Sequence, residues 1–324
     1  MRPKLFGTLF FANYLTRALA LYRSMEAHFR DDFTLVCLCM DDTAAKIIEQ
    51  LKLPRVSLLT IGELERRDPA LPAVKADRTI GEYSWTCTPF FMRYLVDRAG
   101  AQGAAAYLDA DLMFFADPQP VFDEWQDSDI LIHAHRYATR HRYLEPTSGI
   151  YNVGLVGMRD SDETNRCLAR WRAQCLEICT IDGARGLCGD QKYLDEWPQI
   201  YRRLTIFQHP GAGLAPWNIE RYDLTDYPAG LAVDGKPVIF YHYHGLRVLV
   251  TEFFGRRRSL LIPSTGYDFT HLQLRLIYQP YAQALRSADH EARACATGNL
   301  LPQPRLSFSD LCRYHRRLFV ASSL

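Results

Sequence analysis

The string Tyr107-Leu108-Asp109-Ala110-Asp111-Leu112 sets two carboxylates one residue apart at the end of an apolar run. On an extended chain both acids point to one side and Ala110 to the other, so Asp109 and Asp111 can grip a single hard cation. A cation held there can also ligate a diphosphate and stabilise the charge that grows on a departing nucleotide. Solvated turns produce Asp-x-Asp pairs too. Here, however, apolar residues bracket both acids, where an uncompensated charge is costly, and metal ligation is the economical explanation.

Other residues suit the same chemistry. A neutral imidazole completes a ligand set of two carboxylates around Mn2+ or Mg2+, and His242-Tyr243-His244-Gly245 offers two. His242 is the expected ligand and His244 the alternative, because both project to one side of a strand. Asp190 and Gln191 open a predicted helix after Gly189, so Asp190 reads either as a helix cap or as a polar group facing a ligand. Arg93, on a predicted helix, is either a solvated cation or a countercharge for a diphosphate. Asn152 lies inside a strand between Gly149 and Gly154, a position poorly suited to packing alone.

The elements that must position these groups follow a βαβ rhythm. Strands are predicted over residues 4–11, 33–40, 56–61 and 104–108, with helices over 14–29, from 41 or 42 to about 51, and over 85–98 with Pro89 in the first turn. Residues 62–82 read as irregular. Further strands are predicted over 129–133, 151–158 and 238–244, and helices over 162–179 and 190–197. The pattern implies an α/β fold with a mainly parallel sheet and flanking helices. Its main domain covers residues 1–255, and residues 256–324 form a helical extension containing a helix from 269 to about 292 bent at Pro280. The Asp pair falls at the carboxyl end of a central strand, where open α/β sheets bind their ligands.

Composition narrows the partners. With 48% hydrophobic residues the chain can bury a large core. Its 38 basic residues balance 37 acidic ones, so no global field points to nucleic acid. Nine cysteines without paired short spacings fit buried thiols in a reducing compartment. No stretch reaches the roughly 20 apolar residues of a spanning helix. A soluble cytoplasmic protein is therefore expected; Arg313, Arg316 and Arg317 read first as the charged outer face of a docked helix and, as the alternative, as peripheral contact to the inner face of a membrane.

Several ordered motifs between about residues 5 and 250 together resemble glycosyltransferase family 8. They are Thr8 with Tyr14 and the helix after it, Phe91-Met92-Arg93-Tyr94-Leu95, Tyr107 to Leu112, Asn152-Val153-Gly154, Gly189-Asp190-Gln191, and His242 with Gly245. The resemblance implies a GT-A fold and retaining transfer of a hexose from a UDP-sugar with Mn2+ or Mg2+. Thr8 and Tyr14 would contact the base, Arg93 would reach toward the donor and its metal-bound phosphates, and Ala110 and Gly245 would belong to the donor-binding set. Asn152, Asp190 and Gln191 would orient the sugar. The family's final lysine is replaced by Val248, and Arg247 is the substitute nearby.

A glycan or lipid-linked acceptor in the cell envelope is expected by the same resemblance, with a protein acceptor behind it. Trp217 is either a stacking platform for a sugar or a buried core residue. The segment His133-Ala134-His135-Arg136 reads as loop or acceptor-side residues. Two rival functions are a non-catalytic nucleotide-sugar or carbohydrate-binding relative and a nucleotidyltransferase. The second lacks a glycine-rich basic phosphate loop near the first strand.

Overall fold

The computed structural model describes residues 3–101, 103–228, 230–253, 256–264, 266–295 and 319–320. Alternating apolar runs and amphipathic stretches give the expected order β1 (Leu5–Phe10), α1 (Leu15–His28), β2 (Thr34–Cys39), α2 (Asp42–Leu51) and β3 (Val56–Thr60). The chain then forms the long helix Ile80–Ala99, β4 (Ala104–Leu108), β5 (Leu112–Phe114), β6 (Ile130–Ala134) and β7 (Tyr151–Arg159). The central sheet has seven strands, ordered Leu204–Ile206, β6, β7, β4, β1, β2, β3. β1 pairs in parallel with β2 and β4, and β2 in parallel with β3, whereas β7 runs antiparallel to both β4 and β6.

This topology decides what meets at the functional edge. The carboxyl ends of β1, β4 and β6 share one edge, and antiparallel β7 brings its amino end there. Asp41 helps fix that edge. One of its carboxylate oxygens accepts from Ala44 N at 2.8 Å and caps α2, and the other accepts from Ala12 N at 2.8 Å, tying down the loop that follows β1.

Apolar side chains cover both faces of the sheet. On the α1 face, Phe6, Phe29, Phe33 and Phe114 meet in edge-to-face contacts with centroids 4.8 to 6.3 Å apart. On the other face, Phe91 and Leu95 of Ile80–Ala99 pack with Trp171 and Trp197 in one cluster. Fully burying side chains of this size contributes about 1.5–3 kcal/mol each, so the edge that carries the site rests on a rigid base. The eight described cysteines are free thiols, six of them buried.

Two local expectations change. Residues 62–82 hold the short helices Ile61–Arg67 and Ala70–Lys75, the first started by a capping box between Thr60 and Glu63. A second capping box, Thr79 with Glu82, starts the long helix at Ile80, so Pro89 lies in its interior rather than its first turn.

The segment after residue 255 makes local contacts with the one before it. The expected boundary falls between Arg247–Phe253 and Arg256–Ile262, which pair as an antiparallel hairpin. The helix Gln279–Cys295 packs on α1, with Ala288 and Ala292 in the same cluster as Leu15 and Leu19. The distortion expected at Pro280 takes the form of a π-helical turn, Leu274–Tyr278, just before that helix. Arg313, Arg316 and Arg317 lie outside the described residues. No helix among the described residues is long and apolar enough to cross a membrane.

Candidate active site

Asp109 and Asp111 emerge where β4 ends and the short strand β5 begins. Asp109 N donates to Gly154 O at 3.0 Å, and Leu112 N donates back to Asp109 O at 3.2 Å, so the turn carrying both acids is locked to β7. β5 then pairs antiparallel with Phe240–His242 in a register that sets His242 opposite Leu112. Tyr243 N donates to Asp111 O at 2.9 Å. These backbone bonds bring His242 Nε2 to 3.2 Å from Asp111 Oδ1 and 3.6 Å from Asp109 Oδ2.

Among the described residues, Asp109, Asp111 and His242 form one group with ligand atoms within 4.8 Å of one another. Gly154 makes room for it: a Cβ there would stand 2.5 Å from Asn152 Oδ1 and 3.0 Å from His242 Nδ1.

The charges are mutually dependent. Burial raises the Asp109 carboxyl and the charge of Asp111 adds to this, against His242 and a 2.8 Å hydrogen bond from the Tyr107 hydroxyl. Burial pushes Asp111 upward too, but the charge and hydrogen bond of His242 outweigh it and hold the group down at about 2. Burial lowers His242, yet the facing carboxylates raise it above its ordinary value. Two carboxylates whose nearest positive partner is a titratable imidazole are a natural seat for a divalent cation.

The cleft over these residues has a volume of about 350 Å3 and is lined also by Tyr14, Trp85, Thr88, Asn152, Asp190 and Gln191. Asn152 Oδ1 accepts from Gly154 N at 2.8 Å, and Asn152 Nδ2 donates to Gln191 Oε1 at 2.7 Å. Gln191 Nε2 donates to Ser148 O at 2.7 Å. Asp190 is buried, and burial together with the charge of Asp109 raises its carboxyl to about 7 against an opposing hydrogen bond from Thr88. No side chain caps the helical turn that starts after Gln191, so Asp190 does not act as its cap.

No family model matches the chain. The uncharacterized protein YfnD of Bacillus subtilis (strain 168) is 29% identical over 283 residues, covering 87% of this chain and 88% of that protein. YfnF of the same organism is 29% identical over 242 residues, covering 72% and 79%. Among solved structures, the galactosyltransferase LgtC in complex with donor and acceptor sugar analogs superposes with a TM-score of 0.53 at 11% identity, covering 90% of this chain and 99% of that one. The fold is GT-A. Mouse xyloside xylosyltransferase 1 aligns with 75% of this chain and 98% of its own at a TM-score of 0.47 and 14% identity.

Within the GT-A frame, several residues expected at the site lie elsewhere. Thr8 is fully buried within β1 and does not line the cleft, because its side chain points into the sheet packing shared with Phe6 and Phe10. Arg93 faces away. Its guanidinium pairs with Asp97 at 2.7 Å and lies 3.8 Å from Asp160, in a separate small pocket with Arg67 and Arg172. Gly245 and Arg247 are exposed and outside the cleft lining. Val248, in the lysine place of the family motif, is buried in the core cluster with Leu261 and Tyr281. Strand pairing of Val248 with Leu261 turns it inward, so a lysine there would bring an ammonium into an apolar core.

His244 lines the cleft beside His242 but stands outside the ligand group, since the strand ends at His242. Trp217 is buried, its ring centroid 5.5 Å from that of His242 in an edge-to-face contact and its Nε1 donating to His135 O at 2.9 Å, and it backs the histidine without lining the cleft.

Sequence reasoning missed one cation. Arg17 of α1 is 6% exposed, donates to Asn13 O at 3.2 Å and Leu246 O at 3.0 Å, and lies 4.1 Å over the Tyr14 ring. Its charge helps hold Asp111 ionised. The available signal was an arginine interrupting the apolar face of a helix three residues after Tyr14, which lines the cleft.

Proposed function

We propose that this chain is a retaining glycosyltransferase that moves a hexose from a UDP-sugar to an acceptor hydroxyl on a cell-envelope glycan or lipid-linked saccharide, with Mn2+ or Mg2+. The observation that carries it is the convergence of Asp109, Asp111 and His242 at the strand edge of a GT-A sheet, beneath a polar cleft. Two hard carboxylates and one imidazole suit such a cation, and the three side chains lack any other counterion of comparable proximity among their described contacts. They would hold the metal, which when bound supplies a Lewis acid for the leaving diphosphate.

The remaining residues act on the sugars. Gln191 has both amide ends engaged, and a neutral amide is a poor nucleophile. Asp190 holds its proton to about pH 7, which weakens it as a nucleophile as well. The reading therefore favours direct attack by the acceptor from the leaving-group side, with Asn152, Asp190 and Gln191 orienting the sugar by hydrogen bonds. Arg17, buried behind Tyr14, adds a positive charge that helps keep Asp111 ionised.

Incubation with a panel of UDP-sugars, Mn2+ and candidate acceptors tests the reading, with UDP release and product anomeric configuration measured by NMR. Metal-dependent transfer with retained configuration is expected, together with its loss in Asp111→Ala. Undiminished transfer by Asp111→Ala contradicts it. Donor binding without transfer or hydrolysis across the panel would favour a binding protein, the alternative raised by the buried Val248.

A further inference from the structure

The hydrogen-bond network around Asn152 can be oriented from two backbone groups alone. Gly154 N can only donate, so the Asn152 atom 2.8 Å from it is Oδ1 and the other is Nδ2. Ser148 O can only accept, so the Gln191 atom 2.7 Å away is Nε2, leaving Oε1 towards Asn152. Asn152 Nδ2 spends one N–H on Gln191 Oε1 at 2.7 Å, and its second points to His135 Nε2 at 3.3 Å. That nitrogen must then present a lone pair, which places the proton of His135 on Nδ1.

The ring is built in. His135 is 2% exposed, stacks on Tyr137 with centroids 4.7 Å apart and meets Trp217 edge-to-face with centroids 5.0 Å apart. Its backbone carbonyl accepts from both Trp217 Nε1 and Asn218 Nδ2 at 2.9 and 2.8 Å. Burial also keeps the imidazole neutral, down to about pH 3.

We infer that His135 is a positioning residue for sugar transfer: its Nε2 lone pair fixes Asn152, and Asn152 fixes the carboxamide of Gln191 that faces the cleft. The inference rests on the proposed transferase reading, since it assigns Gln191 a task at the sugar. His135 touches neither donor nor metal ligands; it acts through a chain of two amides. Without it, the second N–H of Asn152 is left buried and unpaired, and only the bonds to Gly154 N and Gln191 Oε1 remain to hold the amide in place. The glutamine is then held less firmly while the metal and nucleotide contacts stay intact.

Two measurements test it. Steady-state kinetics compares His135→Leu, which removes the acceptor, with His135→Gln, whose amide oxygen reaches the place of Nε2. For His135→Leu a fall in kcat of about ten- to a hundredfold is expected, with the KM for the UDP-sugar and the Mn2+ requirement held within about twofold. His135→Gln should recover most of the loss. Unchanged kcat in His135→Leu, equal impairment of both variants, or a loss confined to Mn2+ affinity would overturn the inference.

Long-range 1H–15N spectra of the histidine rings in the wild-type protein at pH 7, assigned by the signals missing from His135→Gln, should show the proton on Nδ1. A proton on Nε2 would overturn it, even if either variant failed to fold. Should the wild-type protein turn over no UDP-sugar at all, the transferase reading fails, and the ring spectra still decide the hydrogen-bond relay.

Discussion

Replacing Asp190 with asparagine should stabilise the metal-free protein at alkaline pH while removing turnover. The Asp190 carboxyl titrates near 7 in the fold, against 3.8 for an ordinary aspartate, because it is buried and faces the charge of Asp109. A folded-state pKa above the unfolded one means that the native state binds this proton more tightly. The associated stability is fully present below pH 3.8 and is lost as the pH rises through 7. Carrying the ionised group in the fold at pH 8 therefore costs about 4 kcal/mol. Asparagine is neutral throughout and can still accept from Thr88.

Urea unfolding in the presence of a chelator measures this difference directly. The advantage of Asp190→Asn over the wild type should grow by about 2 kcal/mol between about pH 5.5 and about pH 8. A difference independent of pH, or a variant less stable at pH 8, would refute the assignment of a raised carboxyl at this position. Such a gain in stability on removing a functional group is what a site strained for activity should give.

Other outcomes follow from the same geometry. His242 is raised by the two carboxylates, so a proton competes with the cation: Mn2+ affinity measured by calorimetry should rise with pH up to that raised value and level off above it, with proton release seen as buffer-dependent heat. Gly154→Ala should lower Mn2+ affinity and turnover at least tenfold, because the new Cβ collides with both Asn152 Oδ1 and His242 Nδ1; unchanged metal binding would count against the packing described. Arg93→Ala should leave the KM for the donor unaltered and show itself only as a lower melting temperature, since its partners Asp97 and Asp160 lie outside the cleft.

The fold was largely legible because its signals are local. β1, α1, β2 and α2 lie within about a residue of their expected bounds, and β4 matches them, resting on hydrophobic pattern and, for α2, on a capping aspartate. Thr79-Ile80-Gly81-Glu82 and Thr60-Ile61-Gly62-Glu63 were equally local signals, and reading their capping boxes would have placed two helix starts correctly.

At the site, motif spacing pointed to the two acids and to His242 ahead of His244, whereas the pairing with β5 that brings His242 to the acids is a contact between distant parts of the chain. Arg93 misled because a helix offers several faces. Its i,i+4 partner Asp97 was the visible hint that it pairs along the helix instead of reaching the cleft. His135 could not be assigned a role from sequence, because it depends on β6 and β7 meeting across a register shift near His133 and Asn152.

Pulsed EPR of the Mn2+ complex with UDP tests the central claim most directly. Nitrogen coupling from one imidazole together with phosphorus coupling from the diphosphate is expected, and His242→Ala should abolish the nitrogen signal while Asp111→Ala abolishes binding. Manganese bound with UDP but without any histidine nitrogen, or bound equally well by Asp111→Ala, would contradict the assignment of Asp109, Asp111 and His242 as its ligands.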